Sequence, residues 1–192
     1  MHELDGVLTA LAGPRVALRD VLPTLSNVAG LYAIHGDEQA WTELRIETPG
    51  DGRPLYVGKA EDSFQQRDIK THFSDGHTGR STVRRSFAAL LRTQLALSGI
   101  PRKPSEPGHF DKYGLSPADD AKLTHWMRDR LEIAVWPTDG RRALELIEED
   151  VIVLWAPPIN IDKIKPRDRR ADLSAQRKVM ADEARAWRPG PK

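Results

Sequence analysis

Glu148 stands where an apolar residue is expected. In the segment Leu144 to Asn160, LELIEEDVIVLWAPPIN, apolar residues fall at Leu144, Ile147, Val151, Leu154 and Trp155, the spacing of a helix with one buried stripe. Glu148 lies four residues after Leu144 and three before Val151, so it points where they point. A carboxylate so placed costs several kcal/mol, roughly the figure for an unpaired buried charge, unless a cation or hydrogen-bond donors meet it. Glu149 and Asp150 are rotated outward. The chain has no cysteine, so any metal here must be held by oxygen or imidazole. Other residues able to do chemistry are Tyr32 and Tyr56, each beside a glycine in a short strand signal (Gly30-Leu31-Tyr32 and Tyr56-Val57-Gly58), then Lys59, Arg67 and His72. Taken singly they are ordinary: strand aromatics, surface cations and a structural histidine.

A second signal is charge. From Gly76 to Ser105 stand Arg80, Arg84, Arg85, Arg92, Arg102 and Lys103, with no Asp or Glu among them. Arg84 and Arg85 fall in the first turn of an expected helix, where the macrodipole disfavours cations by some tenths of a kcal/mol and a bound phosphate would reverse the sign. A solvated face and a polyanion-binding face both fit; the missing acids favour the polyanion.

These residues must be positioned by a fold that 192 residues can build as one domain, at 39 % apolar and 30 % charged residues. Net charge is +1 and says nothing of partners. No run of 18 apolar residues and no leader pattern is present, so a cytoplasmic protein is the expectation. Leu4, Leu8 and Leu11 predict a short helix within a packing arm, residues 1–27. Strands are expected at Gly30–Ile34 and Pro54–Gly58, paired antiparallel around a short surface helix at residues 37–45. Asp62 or Ser63 caps a helix to about Phe73, and another runs from Ser81 to about Ser98. A long loop, residues 99–116, leads to a helix from Pro117 to Arg130, a strand from Leu131 to Trp136, and the helix carrying Glu148. Beyond Asn160 come Lys163, Lys165, Arg167, Arg169 and Arg170, then a helix to Trp187: a basic helical tail, residues 163–192.

Gly30-Leu31-Tyr32, Tyr56-Val57-Gly58-Lys59, Arg67, Glu148 and Asn160, in that order, resemble the GIY-YIG nuclease family. The two strand motifs read GLY and YVG here. Arg67 with His72 five residues later is similar to that family's first helix. EEDVIVLWAPPIN is similar to its Glu-x-x-x-Ile…Pro-x-x-Asn segment, most of all that of the nucleotide-excision-repair nuclease subunit. Each short motif is common, whereas the ordered set is specific. The resemblance covers residues 28–162. Two departures stand out, insertions at about 36–52 and 76–117, and both bear on target choice. No second DNA-binding domain is recognisable.

The resemblance implies an α+β fold, a small three-stranded antiparallel sheet flanked by helices, with an inserted helix and long loop. It implies a metal-dependent endonuclease hydrolysing phosphodiester bonds in DNA, with RNA and a non-cleaving binding module of the same fold as alternatives. Glu148 would hold one Mg²⁺ or Mn²⁺ per site, Arg67 would clamp a phosphate oxygen, and Tyr32 or Tyr56 would act as base, the lean being to Tyr56. Lys59, Arg67 or the metal would lower that tyrosine's pKa, and His72 would contact phosphate or water. Gly30, Gly58 and Asn160 would be structural near the site, Asn160 fixing the turn after the helix. Arg80 to Lys103 would bind nucleic acid. A homodimer is open, since duplex scission by one site favours a dimer or two sequential nicks. In a purely structural domain, Glu148 would instead pair with Arg67.

Overall fold

The structure, a computed structural model, describes residues 2–21, 28–61, 72–106, 108–138, 144–161 and 171–189. The expected helix from Asp62 to Phe73, with Arg67, therefore lies outside the described residues apart from its last two positions, and so does the basic cluster from Lys163 to Arg170.

A four-stranded antiparallel sheet forms the centre, in the order β1-β4-β2-β3. The strands are β1 (Val16–Ala17), β2 (Gly30–Gly36), β3 (Tyr56–Ala60) and β4 (Leu131–Pro137). The three expected strands are present, and β4 runs on from Leu131 as read. The fourth, β1, carries only two residues and lies against β4, too short for any alternating pattern to announce it. The class is α+β, a small antiparallel sheet flanked by helices.

Alternation along the strands sends successive side chains to opposite faces and builds two cores. Leu31, Ala33 and Val57 pack under α1 (His2–Ala12) and α6 (Leu144–Trp155) through Val7, Leu11, Leu144, Val151 and Ile152. Tyr32, Ile34, Ala60 and Ile133 face the larger core. That core is closed by α3 (Glu38–Leu44), α4 (Thr82–Leu90), α5 (Pro117–Arg130) and α7 (Ala171–Ala186). A one-turn α2 (Leu18–Val21) links β1 to the helical layer. Side chains start these helices where the sequence places caps. Asp37 accepts from Ala40 N at 2.6 Å, Ser81 from Arg84 N at 3.0 Å and Ser116 from Asp119 N at 3.1 Å.

Two expectations change. The inward stripe of α6 uses Ile152, while Leu154 is 54 % exposed, because the sheet-facing stripe runs 144, 148, 151, 152. The helix from Ser81 stops at Leu90 rather than Ser98: the chain goes on as turns, and Ala96 takes a left-handed φ of 50°. The loop that follows is closed by an isolated bridge between Ile100 and Gly114 and anchored by the buried Tyr113, whose hydroxyl donates to Arg85 O.

The last helix is fastened to that turn. Glu183 of α7 accepts from Arg92 Nη1 at 2.9 Å and from the backbone of Gly99 at 2.9 Å. Gly99 meets α7 so closely that a Cβ would run into the carbonyl of Met180, a backbone group with no rotamer to escape by. Gly99→Ala is expected to lower stability by about 2 kcal/mol, the usual cost of overpacking, read as a fall in the urea midpoint with an unchanged m-value.

Candidate active site

Pairing brings the two strand tyrosines together. In the β2–β3 register Tyr32 lies opposite Gly58 and Ile34 opposite Tyr56, so Tyr32 and Tyr56 are diagonal neighbours on the larger-core face. Their ring centroids are 6.1 Å apart. Gly58 is the floor of this pair: a Cβ there would stand 2.6 Å from Tyr32 Oη and 2.8 Å from Tyr56 Cε1. Glycine is demanded by close approach, not by an unusual backbone angle. Gly30 opens β2, set between Ala60 and Pro137. Tyr32 is buried and Tyr56 half-buried.

His72 completes a ring triangle, 6.2 Å from Tyr32 and 6.5 Å from Tyr56. Its Nδ1 lies 2.7 Å from Ser81 Oγ, the hydroxyl that also receives Arg84 N–H. Ser81 is fully buried, and among the described residues the one acceptor for its hydrogen is Nδ1. This places the imidazole proton on Nε2, so His72 presents a donor on its other edge. Burial, and secondarily the Arg84 charge, bring its pKa down to about 4, so the ring is neutral near pH 7. The sequence marks Ser81 only as the start of a helix, and nothing in it joins that residue to His72.

Glu148 and Lys59 lie on the opposite side of edge strand β3. Glu148 is 8 % exposed on the sheet-facing stripe of α6, as its spacing predicts. Lys59 bonds Glu61 Oε1 at 2.7 Å and stands 3.8 Å from Glu145 Oε1. Its pKa is raised, chiefly by the Glu61 hydrogen bond, with the charges of Glu148 and Glu145 adding to it, so the ammonium is kept. The structure thus gathers Tyr32, Tyr56 and His72 on one side and Lys59 and Glu148 on the other, with only β3 between. Arg67 lies outside the described residues.

Asn160 does more than fix the turn expected of it. Its Oδ1 accepts from Val57 N at 2.9 Å and its Nδ2 donates to Val57 O at 2.8 Å, while Ile159 N donates to Leu55 O at 2.9 Å. The segment after α6 thereby supplies β3 with the partners a further strand would give.

The basic stretch is partly internal. Arg84 is fully buried. It forms an ion pair with Asp120 at 3.2 Å and donates to Thr78 Oγ1, His72 O, Asp120 O and Thr124 Oγ1. Arg85 is 7 % exposed and donates to Gly79 O and Thr82 Oγ1. Arg92 is tied to Glu183. Arg84 and Arg85 are corrected from nucleic-acid contacts to buried structural cations, whereas Arg92 keeps about a third of its side chain, 34 %, exposed. Arg80, Arg102 and Lys103 stay exposed, Lys103 pairing with Glu106 at 3.2 Å and the Arg102 stem lying over Gly79.

The donor set at Glu148 suits a hard cation held mainly by water and phosphate oxygens: it offers a carboxylate and no soft ligand. Among the described residues no group of three or more His, Asp or Glu forms a protein-only cage. No described helix is long and apolar enough to cross a membrane.

A family model described as the GIY-YIG catalytic domain matches residues 34–179. The match takes in Tyr56, Lys59, Arg67, His72, Glu148 and Asn160 and begins two residues after Tyr32. No curated protein and no solved structure matches the chain.

Asn160→Ala leaves the Val57 amide and carbonyl without partners at a buried edge, and stability is expected to fall by about 2 kcal/mol, measured as the shift in urea midpoint. Two histidines contribute to acid sensitivity. His35, whose Nε2 donates to Leu11 O at 2.9 Å, is brought down to about 4, first by burial and then by Arg15, and His72 to the same value. Both native pKa values lie below the unfolded 6.5, so the native state binds fewer protons. Their contribution is complete above pH 6.5 and is lost as pH falls toward 4. Unfolding free energy is expected to drop by about 3 kcal/mol per histidine across that window, and His72→Asn to remove its share of the slope.

Proposed function

The chain belongs to the GIY-YIG family, and from that premise we propose that it is an endonuclease that hydrolyses phosphodiester bonds in DNA with a divalent cation at Glu148. The family's fold is of nuclease type. The observation that carries the reading is Glu148: a carboxylate buried on the apolar stripe of α6 beside an ammonium, which a module built only to hold a polyanion has no use for. Without a cation it would repel the phosphate it is meant to face.

The residues divide the work. Glu148 would hold Mg²⁺ or Mn²⁺ through few protein bonds, water and phosphate oxygens completing the shell. When bound, such an ion supplies Lewis acidity and charge stabilisation for the leaving oxygen. Lys59, kept protonated, holds positive charge beside Glu148 and toward the developing charge of the phosphoryl group. Arg67 would grip a phosphate oxygen through two parallel N–H bonds, the fork a lysine lacks.

Tyr56 is the better placed base. It is half-buried and so reachable by water, whereas Tyr32 is buried with its hydroxyl over the Cα of Gly58. Tyr56 would take the proton of the attacking water, which requires its pKa to fall from about 10 toward working pH under nearby positive charge. Tyr32 then orients the site rather than reacting. His72, neutral with its hydrogen on Nε2, would donate to a phosphate oxygen or to the water; a ring with a pKa of about 4 is a poor acid at neutral pH.

Cleavage of supercoiled plasmid with Mg²⁺ or Mn²⁺ tests the reading, comparing the native chain with Glu148→Gln. Metal-dependent nicking is expected from the native chain and none from the variant. The variant's melting temperature should stay within about 4 °C, the equivalent of ~1 kcal/mol. Nicking by the variant, or a loss of about 3 kcal/mol in its stability as for a broken buried ion pair, would overturn the assignment. Binding without cleavage by the native chain would make this a non-cleaving module.

A further inference from the structure

Arg85 is a buried cation to which no described carboxylate is paired. It is 7 % exposed; its Nη1 and Nη2 donate at 3.1 Å to Gly79 O and Thr82 Oγ1, and its Nε has no partner. Among the described residues no carboxylate pairs with it, in contrast to Arg84 with Asp120 and Arg92 with Glu183. Burial, then the Arg177 charge, pull its pKa down to about 10, with Arg102 adding to the crowding of like charge. An uncompensated guanidinium of this kind is costly unless an anion comes from outside.

There is room for one. Thr82, which receives Arg85 Nη2, lines a cavity of about 330 Å³ together with Asp111, Ile161, Ser174, Arg177 and Lys178. Thr82 is the first residue of the nine-residue α4, so the positive end of that helix faces the same space. Ser174 and Lys178 are exposed, and Lys178 also pairs with Asp182 at 2.8 Å. Among the described lining residues Asp111 is the one acid, set against Arg177 and Lys178. Two wall residues are chain neighbours of the site already described: Thr82 follows Ser81, the hydroxyl on His72, and Ile161 follows Asn160, the clamp on β3.

We propose that this cavity between α4 and α7 is a phosphate-binding pocket that seats a backbone phosphate of the nucleic-acid strand flanking the one cleaved. The proposal rests on the nuclease reading for the identity of the ligand and names the side of the molecule along which the strand leaves the site. It also gives the buried Arg85 a role that differs from the surface contact expected of it: through its bond to Thr82 it lends positive charge to the wall.

The test uses Ser174→Glu, which puts a carboxylate at the pocket mouth. Ser174 is exposed and stands four residues before Lys178, so the new acid forms a favourable helical pair and the fold is kept. Ala175→Glu, exposed on the same helix but not on the wall, makes the same charge change as a control. Affinity for a short fluorescein-labelled DNA duplex is measured in EDTA over a range of salt, and melting temperature with and without inorganic phosphate. Ser174→Glu is expected to bind the duplex about tenfold more weakly with the salt slope reduced by about one. Ala175→Glu should stay within about twofold of native, and phosphate should stabilise the native chain but not Ser174→Glu. Equal weakening by both variants, native affinity in Ser174→Glu, or phosphate stabilisation of a native chain that does not bind duplex would overturn the proposal. Because binding is read without metal, its outcome is separate from plasmid cleavage: loss of nicking with this pattern intact would remove the nuclease and leave the pocket.

Discussion

Arg84 holds the helical half of this fold together. Its guanidinium is fully buried between α4 and α5. It reaches Asp120 and Thr124 on α5, Thr78 before α4, and the carbonyl of His72 at the end of the segment that follows β3. Burial lowers its pKa, and Asp120 works against that shift. Asp120 in turn accepts from the Thr78 hydroxyl and the Gly76 amide, so one ion pair fixes the whole turn between residues 72 and 84. Such a pair does little for net stability against an apolar substitute; removing one partner costs about 3–5 kcal/mol because the other charge is left buried. Its effect here is positional. His72 sits where Arg84 and Ser81 hold it, and the tyrosine cluster is closed by His72.

The second constraint acts from the other direction. β3 is an edge strand, and an edge presents unpaired amides and carbonyls. Asn160 and Ile159 cover it at Leu55 and Val57, the stretch that carries Tyr56 and precedes Gly58. The helix bearing Glu148 and the clamp on β3 are therefore one continuous piece of chain. Glu148 cannot shift relative to Tyr56 without breaking that clamp, which explains why an asparagine twelve residues after the carboxylate belongs to the site although it reaches no reacting group.

Much of this was legible in the sequence because local rules decide it. Glu148 in its stripe, the strand from Leu131, the helix from Pro117 and the paired tyrosines follow from periodicity, capping and spacing. The sequence leaves the basic stretch looking like a solvated or polyanion-binding face because its acids are remote. Asp120 is 36 residues from Arg84, and Glu183 is 91 residues from Arg92, distances over which no pattern in one chain announces a pair. A run of arginines without acids has two physical meanings, an exposed field or an interior whose counter-charges arrive by folding, and composition alone does not separate them. The same holds for Asn160: its spacing marked a turn, but the strand it covers lies 103 residues earlier.

The division of the site across β3 has a consequence for its chemistry. Tyr32 and Tyr56 face the larger core while Lys59 and Glu148 lie across β3, so on the proposed reading no cleft between two domains would be needed; a phosphate at the strand's end would meet both sets past the edge of one backbone. A bulkier residue than glycine at position 58 would strike the Tyr32 hydroxyl and widen that edge. A site so built would be set by a sheet rather than by loops, which suits a reaction in which positioning and charge do most of the work. The cost falls on substrate grip: a shallow edge holds one phosphate but little more of a strand, and affinity must come from neighbouring surfaces. A pocket that seats a flanking phosphate, walled by Arg177 and Lys178 with Arg85 bonded to its Thr82, would supply it.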